Sequence, residues 1–446
     1  NSSSALKGSK VAVYEQHVPI VPGKEPVEDY EGNYVFADIK ESHTSRAMTS
    51  RYYKDMMDAA VSDVVVIGAG ISGAASAYEL ARRGFRVTLL DRYAPAAMAS
   101  GWTLAGVRQS GRHPAELPLA TAAVRRWAGL AGELDGETHY RRNGNLRLAR
   151  TVEEVPVIRS LVEQQSAAGL DLSLLTDTGD IQAVAAAVSD RVMAASWCPS
   201  DGSADPRATV LSYVAAAQRL GVEMRFCERV RRIETVNGRV TGVATDAGMI
   251  ATSHVVVCAG IFGNELLDPL GLAIPLQVPM VTVLRSVPMP AALGPVIGVA
   301  NADCAGRQES DGRFRVTSGL ETWHGDIDHD GPRPAVRPTM RSIAEVIRLF
   351  GEVVPAFKDA RIDETWAGLI DLTPDGLPVI DSPAGLEGLT VAMGFSGHGF
   401  CLGPVTGTIV ADLVETRRTP FPIAPFALDR FADRRQAAFE PLSLHG

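Results

Sequence analysis

The sequence predicts an α/β protein, α+β overall, in which a domain of strands and crossover helices is interleaved with a second sheet. Three observations predict it. An apolar "VVVIGAG" starting at Val64 runs into the helical pattern "GAASAYELARRG" and then into "RVTLLD", which is a strand–helix–strand opening. Residues from about 266 to 354 read as further strands with one helix, "RSIAEVIRLFGEVV", and they interrupt the first domain instead of following it. The pattern of strand, glycine loop and helix then returns in "GLTVAMGFSGHGFCLGPVTGTIVADLVETRR".

The opening unit carries the first chemistry. In Gly68-x-Gly70-x-x-Gly73 the first glycine permits a tight turn, the second lets a pyrophosphate approach backbone N–H groups, and the third lets the helix pack on the strand. The phosphates of a dinucleotide would then sit at a helix N-terminus, where unpaired donors and the dipole favour anions. Asp91 ends the second strand, where a carboxylate can accept from a ribose hydroxyl. Arg92 beside it could serve a ribose phosphate, although the neighbouring acid opposes that and an exposed arginine is the alternative. A Rossmann-like dinucleotide domain follows, with NAD and FAD both open at this point.

Composition narrows the class. The chain has 446 residues, a net charge of -9 and 46% hydrophobic residues, enough to fill two cores. Its acidic balance argues against nucleic acid as a partner, since phosphate neutralisation needs a basic face. The five cysteines, Cys198, Cys227, Cys258, Cys304 and Cys401, are scattered without metal-ligand spacing. They predict a reducing compartment and no metal site. No apolar run has the length of a membrane helix and no signal-peptide layout is evident, so the expectation is a cytoplasmic protein. Residues 1–62 differ from the rest, holding five of the six lysines and a Pro/Gly-spaced stretch, and they read as an arm. Further along, a helix ends near Gly221, a hairpin turns at Asn237-Gly238, and an apolar strand spans Val255 to Cys258.

Beyond Asp91 come "ASGWTLAGVRQS", "VVVCAGIFGNELL", "WAGLIDLTPDGLPVI" and "GFSGHGFCLGPVTGTIVADLV". In this order they resemble the FAD-dependent D-amino-acid oxidase superfamily, especially the branch of sarcosine oxidase, glycine oxidase and the proline and opine dehydrogenase subunits. The likeness covers residues 63 to 446. It implies FAD, expected to be non-covalent because Cys304 is not at the covalent-attachment position. It also implies a Rossmann-like FAD domain at 63–115, 195–265 and 355–446, and a substrate domain on a mixed or antiparallel sheet at 116–194 and 266–354. Cofactor contacts are implied at Ser100, Gly106, Val107, Val230, Ala259, Gly260, Gly368, Gly397, Gly399 and Phe400, beside Gly68, Gly70, Gly73, Asp91 and Arg92. The activity implied is oxidation of the C–N bond of an amino acid or secondary amine, with a hydride passing to the flavin and the imine then hydrolysing.

Arg108 matches the family position that binds the substrate carboxylate, for which a two-pronged guanidinium is apt. A salt bridge to Glu116 or another acid is the alternative. His398 could touch the flavin or assist a proton, or simply hydrogen-bond within its loop. Arg307 and Gln308 are candidate pocket residues, with surface charge as the alternative. A helix is expected to start near Pro404, aiming backbone donors at the flavin. This chain has Cys401 where the sarcosine oxidase branch has a carboxylate-binding lysine, and Lys358 is the only lysine beyond the arm. That pattern suggests a slow oxidase or a dehydrogenase. Residues 39–73 also resemble the segment entering the nucleotide fold of thiamine thiazole synthases. A biosynthetic flavoprotein, or a flavin subunit needing a partner, are therefore alternatives, and the arm could join homo- or hetero-oligomers.

Overall fold

The computed structural model describes residues 62–432 and, upstream, the backbone of two short strands, Lys24–Glu28 and Tyr34–Asp38. These two pair antiparallel, with Pro26 opposite Phe36. A proline is tolerated there because each strand of a two-stranded ribbon is an edge. The remainder of the arm lies outside the described residues, as does its expected role in assembly.

The nucleotide-type domain is a six-stranded sheet in the order Glu223–Phe226, Val87–Asp91, Val64–Ile67, His254–Val257, Leu389–Met393, Val379–Asp381. Its first five strands are parallel and the last is antiparallel. Val64 to Ile67 are all buried, because both faces of a parallel sheet are covered; the unbroken apolar run reflects this. Helices Ile71–Arg82, Pro206–Arg219 and Gly399–Thr416 share one core on one face. On the other face pack residues of the strands Val230–Val236, Arg239–Thr245 and Gly248–Ala251. The hairpin between the first two of these turns at Asn237 (φ 52°) and Gly238 (φ 74°), the paired left-handed residues of a two-residue turn.

Chain order departs in opposite directions from Val64–Ile67, to Val87–Asp91 on one side and His254–Val257 on the other. That switch leaves a crevice beyond the carboxyl ends of the strands. Over it stands an eight-stranded sheet in the order Ile362–Leu369, Met280–Ser286, Phe314–Ser318, Cys304–Gln308, Val296–Val299, Asn145–Ala149, Ala194–Cys198, Ser173–Leu175. All its pairings are antiparallel except Val296–Val299 with Asn145–Ala149. The helix Met340–Val353 covers it through Val346, Leu349, Phe350 and Val353.

Two of these strands correct the expected boundaries. Ala194–Cys198 and Ile362–Leu369 fall largely in segments assigned from sequence to the FAD domain, yet both hydrogen-bond into the eight-stranded sheet. Short buried strands carry no mark of their partners, since the two-residue period fixes a face and not a neighbour. The C-terminal helix also departs from expectation. It starts at Gly399, not near Pro404, which sits inside it at the sixth residue. Its Gly403 and Gly407 instead allow a close crossing with the first helix: a Cβ on Gly403 would lie 2.3 Å from Ile71, and one on Gly407 2.7 Å from Ala75 backbone. The crossing brings both helix N-termini to the same cleft.

Candidate active site

The cleft begins where Val64–Ile67 stops. Gly68 turns at φ 107°, and a Cβ on it would stand 2.3 Å from the Cys258 carbonyl oxygen, so the turn demands glycine. A Cβ on Gly73 would be 1.8 Å from the Gly68 oxygen, which shows how tightly helix and strand end are pressed together. Gly70 is the N-cap of the helix and offers no side-chain cap. The Ile71 N–H donates to Ser100 Oγ at 2.9 Å, and Gly68, Gly70, Ile71 and Ser72 line the cleft. A positive helix end thus faces an open cradle.

Asp91 ties this loop together. One carboxylate oxygen accepts from Ala69 N–H at 2.6 Å and the other from Tyr93 N–H at 2.7 Å. Burial pushes its carboxyl up to about 6, against the opposing pull of those two donors. Arg92 lines the cleft but is engaged: its guanidinium pairs with Glu265 and lies 3.9 Å over the Phe262 ring.

The second helix start is built by two sequence motifs holding each other. Asp371 Oδ2 accepts from Gly394 N–H at 2.8 Å, and Asp371 O accepts from Ser396 N–H at 3.2 Å. The loop then climbs through Ser396 (φ 53°) and Gly397 (φ 90°) to His398, which caps the helix with backbone alone. Its side chain is used elsewhere, since Nδ1 lies 2.9 Å from Glu116 Oε2. Glu116 in turn is 3.4 Å from Arg112 Nη1. Glu116, read from sequence as the alternative partner of Arg108, is held by His398 and Arg112, and the Arg108 charge also favours its ionised form.

Three arginines form the cationic wall of the cleft: Arg108, Arg112 and Arg147. Arg108 donates Nη1 to Ser110 O at 3.0 Å, Arg112 donates Nε to Arg108 O at 3.2 Å, and Arg147 donates Nε to Val299 O at 3.2 Å. Asp201, fully buried, shapes the loop that carries Arg108 by accepting from Gln109 N–H at 2.8 Å and from the Ser110 hydroxyl at 2.5 Å. Burial, reinforced by the Arg112 and Arg147 guanidiniums, pushes Arg108 down to about 9, and burial pushes Arg147 down to about 10. An anion entering this wall relieves the cost of holding these charges out of water.

Of the residues singled out from sequence, the cleft gathers Gly68, Gly70, Asp91, Arg92, Ser100, Gly106, Arg108, Val230, Ala259, Gly260, Gly368, Gly397, His398, Gly399 and Phe400. Gly73 and Val107 stand behind its wall, Gly73 as the packing contact and Val107 buried opposite Gly202. Arg307 is a correction. It does not line the cleft: Nε donates to Leu104 O at 2.6 Å and Nη2 to Ala204 O at 3.0 Å. With Arg315, which donates to Thr103 O at 2.9 Å, it shares Glu309 and braces the segment leading to Arg108. Gln308 also points into structure, its amide spent on loop backbone at residues 289–293. Arg112 and Arg147 were missed, and Glu116 was read only as an alternative partner of Arg108. An arginine inside the otherwise apolar strand "NLRLA" was the available signal for Arg147.

The residues present fit a dinucleotide carrying a polar ring system. The glycine cradle and two helix starts open on one cleft, and two buried polar atoms in its lining residues, Arg112 Nη1 and His398 Nε2, have no hydrogen-bond partner among the described residues. Comparison with known proteins agrees. Residues 63–413 match the family model described as FAD dependent oxidoreductase. The glycine oxidase of Geobacillus kaustophilus is 27% identical over 380 residues, covering 82% of this chain and 97% of that protein. The sarcosine oxidase subunit beta of Arthrobacter sp is 26% identical over 379 residues, covering 83% of this chain and 91% of the subunit. In three dimensions the L-proline dehydrogenase from P. horikoshii superposes with a TM-score of 0.76 at 27% identity, covering 84% of this chain and 98% of the other. With sequence, fold and cleft in agreement over nearly the whole described chain, the protein belongs to the DAO family of FAD-dependent oxidoreductases.

Proposed function

We propose that the protein oxidises the C–N bond of a carboxylate-bearing amine, an α-amino acid or N-alkyl amino acid, with the arginine wall holding the carboxylate. The observation that carries this reading is the convergence of Arg108, Arg112 and Arg147 on the cleft that also receives both helix N-termini. FAD, when bound, supplies the hydride acceptor. Gly68, Gly70 and the start of helix Ile71–Arg82 would hold its pyrophosphate, and the free lone pairs of Asp91 a ribose hydroxyl. The Gly397–Gly399 turn and its helix start would stabilise negative charge at the ring end. Arg108 orients the substrate carboxylate, so that the carbon bearing nitrogen is presented in one pose.

The cysteines in the lining, half-buried Cys258 and buried Cys401, are thiols pushed up to about 12 and about 11 by desolvation, which suits a non-covalent cofactor. Lys358 sits in the turn Pro355–Asp359 with its stem against Gly351, apart from the cleft lining. With arginines as the lining cations, an electron acceptor other than oxygen is the favoured reading. Among the described residues no helix is long and apolar enough to cross a membrane.

The test is the visible spectrum of the holoenzyme under anaerobic conditions as amines are added. Carboxylate-bearing secondary amines and amino acids should bleach the flavin, while the same amines lacking the carboxylate should not. The bleaching rate should rise with pH, since nitrogen must hold a lone pair to release the hydride. A flavin that stays oxidised with every amine would overturn the reading. Slow return of colour in air would mark a dehydrogenase. Reduction seen only after a partner protein is added would instead identify a subunit of a larger enzyme.

A further inference from the structure

Resting on the amine-oxidising reading, we propose that the cleft holds a second anion subsite, a notch over Gly298 and Ala305 edged by Arg147. The substrate class it selects is an amine bearing two carboxylates: an amino acid with an acidic side chain, or an N-(carboxyalkyl) amino acid.

The notch is a feature of the sheet. Residues directly opposite one another on neighbouring strands share a face. One such row runs from Arg147 to Gly298, Ala305, Thr317 and Val283, and every member of it lines the cleft. The residues that alternate with them, among them Leu146, Leu148, Val299 and Val316, face the other way, into the core covered by the helix Met340–Val353. On the cleft side the bulk falls from an arginine to a hydrogen and a methyl group, then rises again through threonine and valine.

Gly298 has no structural reason to be glycine. It lies in a regular strand, and a Cβ on it would meet nothing within 4 Å. Gly306 on the next strand is the contrast, because a Cβ there would stand 2.5 Å from Phe350. Glycine weakens a strand interior, and where packing does not demand it, it marks a place that a ligand approaches closely. Gly298 is itself buried, so the space above it belongs to the floor of the cleft.

The charge at the notch comes from Arg147. Its Nε donates to Val299 O at 3.2 Å, the carbonyl that follows Gly298, which lays the guanidinium along the same strand. Among the described residues, Arg147 is the charged side chain that the eight-stranded sheet contributes to the lining. The acids of the lining are committed elsewhere: Asp91 to the Ala69 and Tyr93 N–H groups, Glu228 to Arg225, and Asp371 to the Gly394 N–H. Arg108 and Arg147 stand on separate frames, a loop and a sheet, close enough for the charge of Arg147 to disfavour that of Arg108. A guanidinium fork matches one carboxylate, so two forks on one cleft suit a substrate that carries two.

The deciding measurement is binding and needs no turnover. Thiodiacetate, a dicarboxylate with sulfur in place of nitrogen, and its monoamide are titrated into the holoenzyme and read by the perturbation of the flavin band. The acid should bind about thirtyfold or more tightly than the amide of the same shape, the effect of one desolvated charge pair. Equal binding overturns the subsite, since Arg147 would then share the first carboxylate with Arg108. Gly298→Val fills the notch and leaves the bond from Arg147 to Val299 in place; thermal unfolding should hold and the preference for the acid should vanish. In Arg147→Gln the preference should vanish as well, with thermal unfolding read beside it because the Val299 bond is altered. A preference retained in either folded variant overturns the assignment, and if neither folds the wild-type ratio decides. The amine reading is judged apart from this, by adding the corresponding secondary-amine dicarboxylate and its monoamide: the same preference should appear in kcat/KM. A flavin that neither amine bleaches counts against amine oxidation, while the binding ratio still decides the subsite.

Discussion

The Gly73→Ala protein is expected to lose FAD and much of its stability, although alanine is the better helix former. A methyl there would sit 1.8 Å from the Gly68 oxygen and 3.3 Å from Cys258 Cβ. Gly68 cannot retreat, because its own N–H is bonded to Leu90 O at 2.7 Å and its Cα faces the Cys258 carbonyl. The helix cannot retreat either, being clamped through Ile71 and Ala75 to Gly403 and Gly407. With both sides fixed, the clash costs about 3 kcal/mol or more, the upper range for overpacking. It falls on the loop that would hold the pyrophosphate. Gly132→Ala is the control: its added Cβ meets nothing within 4 Å, and its place in the helix Leu130–Leu134 makes the change neutral or stabilising. Flavin absorbance per protein and thermal unfolding read both variants. A Gly73→Ala protein that keeps FAD at the wild-type level would refute the packing argument.

The same contrast explains what was legible in the sequence. The glycine loop, Asp91, the Asn237-Gly238 turn and the helix Met340–Val353 rest on local rules, and local rules are written in consecutive residues. What crosses the chain was not. Ala194–Cys198 finds its partners at Asn145–Ala149 and Ser173–Leu175, and nothing in "AASWC" names them. Arg307, read from sequence as a candidate pocket residue, has its donors spent in the fold on Leu104 and Ala204, some hundred and more residues away. Arg112 was not singled out and Glu116 was read only as an alternative partner of Arg108; the return of His398 beside them is what the fold adds. Pro404 misled for a different reason. Proline suits a helix start, but the preceding His398–Gly399 turn already begins the helix, and the carbonyl of Pro404 is bonded to Arg126 Nη1 at 2.7 Å.

Replacing Arg108 by methionine should lower kcat/KM for a carboxylate-bearing amine by about a hundredfold or more, the equivalent of losing one desolvated charge pair worth about 3 kcal/mol. Most of the loss should appear in KM, because the carboxylate is held alike before and during hydride release. Arg108 is the member of the wall to change first. Arg112 is engaged with Glu116 and braces the Arg108 carbonyl, and Arg147 is tied to Val299 of a neighbouring strand, so their removal would disturb the frame as well as the site. The loop bearing Arg108 is instead held from behind by Asp201 through Gln109 and Ser110, bonds that methionine leaves in place. Methionine also removes the Nη1 bond to Ser110 O, so FAD content and thermal unfolding are read beside the kinetics to separate a disturbed frame from a lost grip on the carboxylate. Lysine at the same position should recover only part of the affinity, since it keeps the charge and loses the fork. Steady-state kinetics on the substrate that bleaches the flavin measures all three proteins. An unchanged KM in the methionine variant would move the carboxylate site to Arg112 and Arg147, whereas a lost kcat at constant KM would mean that Arg108 acts on the reacting centre itself.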